Sequence, residues 1–149
     1  MGQDPGMRLL LRILLAVLLA GPALAASDAE LQAFARGHGL KDIGGFVETV
    51  RTIESKRRLP DRYLTKGRAE QLGWKPGHDL CEFAMGKSIG GDRFGNREKR
   101  LPEAAGRRWT EADLDYVCGR RGAKRLVFSN DGLIYVTVDH YGHFHRVPP

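Results

Sequence analysis

An α+β domain, with N-terminal helices packed on a C-terminal antiparallel β-sheet, is the fold class that this sequence predicts. Three observations carry the prediction. Apolar residues recur at helical spacing up to about Leu72, and short β-type runs bounded by Gly and Pro take over after Trp74. Asn130-Asp131-Gly132 between two of those runs is a strong hairpin signal. Helices first and strands later place the sheet on one side of the helices. The sequence carries no internal repeat, no low-complexity tract and no mark of a second domain.

The first segment reads as a leader rather than as part of the fold. Met7 and Arg8 open a charged stretch, Leu9 to Ala20 is apolar except for Arg12, and Gly21-Pro22 breaks the run. Ala23-Leu24-Ala25 then offers the small-x-small pattern that a signal peptidase reads, so residues 1–25 are expected to be removed. Met1 to Gly6 lacks the character of such a leader, which makes Met7 its expected start. The apolar run is short of the roughly 20 residues that span a bilayer comfortably. The expected product is therefore extracellular or periplasmic and without membrane attachment; a monomer is expected.

Residues 26–149 have the length of one domain with one core, and residues 26–45 read as an extension ahead of a main domain over 46–149. Ser27-Asp28-Ala29-Glu30 is a capping-box pattern, followed by Leu31, Phe34 and Ala35 at helical spacing and by Gly37 as a stop. A second helix is expected from about Phe46, with Phe46, Val50 and Ile53 on one stripe. It ends in Lys56-Arg57-Arg58, where cations complement the helix dipole and need no ligand to explain them. A short third helix fits Thr65 to Leu72, capped by Thr65 and stopped by Gly73. It places Lys66 in a first turn, where a cation is disfavoured, and a residue set against local preference is a functional candidate. Strands are expected at Arg107 to Tyr116, Lys124 to Ser129, Leu133 to Val138 and His143 to Val147.

The chain carries a net charge of +6 at pH 7, and +5 without the leader, which favours an anionic partner such as nucleic acid, a membrane surface or an acidic protein. Its two cysteines, Cys81 and Cys118, are expected to form one disulfide in an oxidising compartment. Closing a loop of about 38 residues would restrict the unfolded chain by about 4 kcal/mol on the chain-entropy account. The other reading, a catalytic cysteine at Cys118, leaves Cys81 without a role.

Glu111, Arg121, Arg125 and His140 are the groups that metal-free cleavage of an RNA phosphodiester calls for: a base, an acid, and fixed cations for the charge building on phosphorus. They sit inside longer motifs. Leu59-Pro60-Asp61-x-Tyr63-x-Thr65-Lys66, Leu72-Gly73-Trp74, Gly86-Lys87-Ser88-Ile89-Gly90-Gly91-Asp92-x-Phe94, Asn96-Arg97-Glu98, Leu101-Pro102, Gly106-Arg107-x-Trp109-x-Glu111-Ala112-Asp113, Leu133-Ile134-Tyr135 and Asp139-His140-Tyr141 resemble the barnase-type guanyl-preferring microbial ribonucleases in order and spacing. The resemblance runs from Phe46 to Val147.

The resemblance implies roles. Glu111 would be the general base, His140 the general acid, and Lys66, Arg121 and Arg125 the phosphate clamp. Gly95, Asn96, Arg97 and Glu98 would form the guanine loop, with Phe94 also binding substrate and Tyr141 stacking on the base. Glu98 can accept the paired N1–H and N2–H donors of guanine, a match that adenine lacks. A histidine with its ordinary pKa of about 6.5 can start protonated and finish neutral. Single-stranded RNA is the expected substrate, with no cofactor and no metal. His140, His143 and His145 could be read as a zinc site but lack a carboxylate or cysteine at ligand spacing. An acidic, barstar-like inhibitor is the expected partner in the producing cell. A non-catalytic RNA- or polyanion-binding module on the same fold is the competing expectation. The chain departs from the pattern at Gly132 (a tryptophan in the family), at Arg120 (an aromatic) and at Gly95 (a serine), the last loosening the guanine loop.

Overall fold

A computed structural model of the chain describes Gly21 and residues 24–149. Apart from Gly21, Leu24 and Ala25, the expected leader lies outside the described residues. Helix α1 spans Asp28–Gly37 and opens on the expected capping box, in which Glu30 N–H donates to Ser27 Oγ at 3.2 Å and Ser27 N–H to the Glu30 carboxylate at 2.6 Å. Its buried residues, Leu31 and Ala35, face helix α2 (Ile43–Lys56). Helix α2 begins three residues before Phe46, because Asp42 accepts from Gly45 N–H at 2.9 Å and caps a turn that carries no apolar stripe. The boundary expected at 45/46 therefore falls inside α2, and the extension shares the main hydrophobic core.

Six strands follow one another in sheet order: β1 (Tyr63–Leu64), β2 (Ser88–Phe94), β3 (Trp109–Asp113), β4 (Arg125–Ser129), β5 (Ile134–Thr137) and β6 (His145–Arg146). Helix α3 (Lys66–Gln71) and a 3₁₀ turn (Leu80–Glu82) lie between β1 and β2. The last five strands form an antiparallel meander, and β1 joins it as a two-residue parallel partner of β2. Neither β1 nor β2 was expected, and the four expected strands are each shorter than their apolar runs. The β4–β5 hairpin closes at Asn130-Asp131-Gly132 as expected, with Gly132 at φ 98°.

The strand alternation divides the sheet's two faces. Leu126, Phe128, Ile134 and Val136 pack on Leu31, Phe46, Val50 and Ile53 of the helices. Each such side chain contributes about 1.5–3 kcal/mol on burial. The opposite face holds a smaller cluster of Leu101, Trp109 and Val127 with Phe94, Tyr135, Tyr141 and Phe144 around it. Residues 109, 111 and 113 of β3 share that second face, as do 125 and 127 of β4. The register sets Glu111 against Val127 and Asp113 against Arg125. Glu111, Asp113 and Arg125 thus line up on the face opposite the one that packs on α1 and α2.

Candidate active site

Glu111 is 8% exposed, projecting from the middle strands beside Trp109. Its carboxylate meets Lys66 Nζ at 3.6 Å through one oxygen and accepts from the Tyr141 hydroxyl at 2.6 Å through the other. Lys66 opens α3, and its own backbone N–H donates to Asp92 at 2.9 Å, so a carboxylate from β2 offsets the cation at that helix end. Thr65 caps the helix as expected, accepting from Arg68 N–H.

Asp113, two residues beyond Glu111 and 3% exposed, collects both arginines. Arg121 donates to it twice, from Nε and Nη2, at 2.7 Å each. Arg125 Nε lies 3.0 Å from Oδ1 at an angle unsuited to a hydrogen bond, so that contact is charge against charge. Arg125 Nη1 donates to the carbonyls of Gly122 and Lys124. Nη1 of Arg121 makes no hydrogen bond among the described residues, and that guanidinium, with Arg125 behind it, lines a cavity beside His140. The carboxylate of Asp113 holds the Arg121 guanidinium above its ordinary pKa.

His140 and Tyr141 follow β5 with φ of 53° and 70°, consecutive left-handed residues of the kind that persist where the surroundings impose them. His140 N–H donates to Ala123 O at 3.0 Å, and Tyr141 N–H to the Thr137 hydroxyl at 3.0 Å. The His140 ring lies 4.8 Å from the Tyr141 ring and lines a cavity of about 500 Å³ with His78, Arg120, Arg121 and Arg125. Burial, then the hydrogen bond to Glu111, pushes the Tyr141 hydroxyl well above its ordinary pKa.

A second cavity, of about 320 Å³, is lined by Phe94, Gly95, Arg97, Glu98, Arg100 and Phe144, together with Asn96 and Tyr141. The Tyr141 ring stacks on Phe94 at 5.0 Å. Asn96, expected to meet the substrate, turns its side chain inward: it is 5% exposed, donates to Leu101 O and accepts from Leu101 N–H, so it braces the loop from within. Glu98 is exposed and forms an ion pair with Arg100, whose guanidinium also donates to Tyr141 O. A base edge reaching Glu98 would compete with that arginine.

Geometry adds groups that the sequence did not single out. In the sequence Asp113 stands out only as a motif residue that shares a strand face with Glu111, and Arg100, Phe144 and His78 carry no signal. The shared face of residues 111 and 113 was the available clue to Asp113. The three histidines near the C-terminus do not converge: His143 pairs with Asp139 at 2.6 Å, and His145 packs on His38 at 4.3 Å between ring centres. Among the described residues, the one cluster of metal-ligating side chains is Asp79 with Cys81 and Cys118, whose sulfurs are joined in the expected disulfide.

A family model described as ribonuclease matches residues 47–148. The chain belongs to the ribonuclease family. A ribonuclease of Bacillus pumilus is 48% identical over 127 residues, covering 85% of this chain and 78% of that protein. One of Bacillus intermedius is 52% identical over 111 residues, 74% of this chain and 68% of that one. One of Heyndrickxia coagulans is 59% identical over 92 residues, 61% and 84% respectively. The barnase-type resemblance read from the motifs thus agrees with the family match over residues 47–148 of the ribonuclease. The match begins at residue 47, inside α2, so α1 of the ribonuclease precedes it.

Proposed function

We propose that the chain is a guanine-preferring endoribonuclease that cuts RNA 3′ of guanosine without a metal ion. Glu111 takes the 2′-hydroxyl proton, the 2′-oxygen attacks phosphorus, and the 5′-oxygen departs with a proton from His140. A 2′,3′-cyclic phosphate results. Water then attacks it with the two roles exchanged, leaving a 3′-phosphate. Lys66, Arg121 and Arg125 stabilise the charge on the phosphorane oxygens. The attacking group belongs to the substrate, so DNA binds without being cut.

One observation carries this reading: Tyr141 joins the two halves of the site. Its hydroxyl touches Glu111, its ring lines the loop cavity, and the preceding residue is His140. A base held in that cavity brings its own ribose and 3′-phosphate between Glu111 and His140. Export, supported by the leader pattern, and an acidic inhibitor that places carboxylates against Lys66, Arg121 and Arg125 belong to the same proposal.

The test compares GpU with ApU in excess EDTA and identifies the first product by chromatography. The proposal expects a cyclic phosphate, faster from GpU, with the preference reduced about 10- to 100-fold in Glu98→Ala as a charged hydrogen bond is lost. Turnover that needs an added divalent ion, or equal rates on the two dinucleotides, contradicts it.

A further inference from the structure

The loop between β3 and β4 carries Arg121, and it is fastened by residues that the reaction does not touch. Among the described residues, no backbone–backbone hydrogen bond tethers residues 115–122. Asp115 and Cys118 both hold positive φ, 56° and 84°, a conformation that non-glycine residues keep where tertiary contacts impose it. Asp115 anchors the start of the loop, accepting from Lys124 Nζ at 2.7 Å and from the backbone N–H groups of Lys41 and Asp42 at 2.9 Å each. Its far end, next to Arg121, depends on different residues.

There, Cys118 is disulfide-bonded to Cys81 in the 3₁₀ turn. Beside the bond, Asp79 Oδ1 accepts from Gly119 N–H at 2.8 Å, from Cys81 N–H at 2.9 Å and from the Tyr116 hydroxyl at 3.1 Å. The Tyr116 oxygen also accepts from Leu80 N–H at 3.0 Å. One carboxylate and one cross-link therefore hold both sides of the same junction, two and three residues before Arg121. The Gly119 and Cys81 donors hold the Asp79 carboxyl below its ordinary pKa.

We infer that Asp79 and the Cys81–Cys118 bond form a positioning latch for Arg121, so that cleavage activity follows the oxidation state of this cysteine pair. The inference rests on the ribonuclease mechanism proposed above. Closing the latch forms the S–S bond as two thiols lose two protons and two electrons to a protein or small-molecule disulfide, which leaves as two thiols. Cys118 is exposed and Cys81 half-buried, so a sulfur is open to that exchange. With the latch open, Asp113 still grips the guanidinium, but the main chain that carries it is free to leave its positive-φ conformation. A displacement of about 1 Å at a transition-state contact lowers rate by up to about a hundredfold. A newly made chain, in a compartment that keeps thiols reduced, would stay below full activity until export.

The test measures kcat and KM on GpU for the oxidised chain, for the Cys81→Ser/Cys118→Ser pair and for Asp79→Ala, each alone and combined with Arg121→Ala. Asp79→Ala keeps the cross-link, so it reports even where the serine pair fails to fold. The inference expects kcat to fall about ten- to a hundredfold with KM little changed. It also expects no further fall where Arg121 is already alanine. Equal losses in both backgrounds would indicate general loosening and overturn it, as would no loss at all. Absence of cleavage by the oxidised chain would overturn the ribonuclease mechanism as well, whereas cleavage indifferent to the latch overturns this inference alone.

Discussion

Asp113 decides how the cations of the site are arranged. Buried at 3% exposure between two guanidinium groups, it fixes both Arg121 and Arg125 through one carboxylate. Asp113→Asn leaves those arginines uncompensated in a buried setting, and we expect a loss of about 3–5 kcal/mol in urea unfolding. The companion expectation is a fall in kcat/KM larger than that of any exposed aspartate variant, such as Asp61→Asn. Wild-type stability in Asp113→Asn would show that the arginines are held by other contacts. The sequence made Glu111, His140 and the arginines legible, because each is a distinctive residue inside a recognisable motif. It did not expose Asp113 as their anchor, since a bridging role depends on the β3–β4 register, which lies some twelve residues apart in the chain. The inward turn of the Asn96 side chain onto Leu101 was not legible for a related reason: nothing in its motif separates a residue that offers its side chain to the cavity from one that offers its backbone.

At the scale of elements, α1 is the part whose role the motifs left open. Its Leu31 is fully buried in the main core, so Leu31→Ala should destabilise by about 2–5 kcal/mol. The site lies on the opposite face of the sheet, and kcat/KM measured well below the melting range should hold; a large activity loss would mean that α1 shapes the site. His38, just after α1, packs on Phe34 at 4.4 Å and His145 at 4.3 Å. Burial, then the charge of His145, lowers its pKa from 6.5. The fold thus favours neutral His38, and the unfolded chain takes up the proton first. The contribution to stability is present above pH of about 6.5 and is lost as pH falls through the lower, folded value. Replacing His38 by Phe should therefore gain relative to wild type as pH drops from 7 to 5, read by thermal unfolding; a pH-independent difference contradicts this. The capping box and the hairpin turn were legible because each is a local device. Strand β2 was not, because Gly90 and Gly91 dilute its pattern. They serve close packing: a Cβ at Gly90 would sit 2.6 Å from the Tyr63 ring, and Gly91 holds φ of 105°.

The whole molecule is a basic protein, and three of its arginines, Arg120, Arg121 and Arg125, line one cavity with His140. A net charge of +6, the Arg120, Arg121 and Arg125 group, and Lys66 beside Glu111 predict that kcat/KM on long RNA falls steeply with added salt. Arg120→Ala should reduce that slope, and an unchanged slope would mean that Arg120 makes no phosphate contact. Fold class and family were readable from sequence because many short motifs agreed in order, while the cavities beside His140 and Tyr141 required three dimensions. The account as a whole turns on a proton being taken at Glu111 and given at His140. Its most direct measurement is kcat/KM on GpU for Glu111→Ala and His140→Ala, each confirmed as folded, in excess EDTA. The account predicts that each falls by about two to four powers of ten; wild-type turnover in either variant would contradict it.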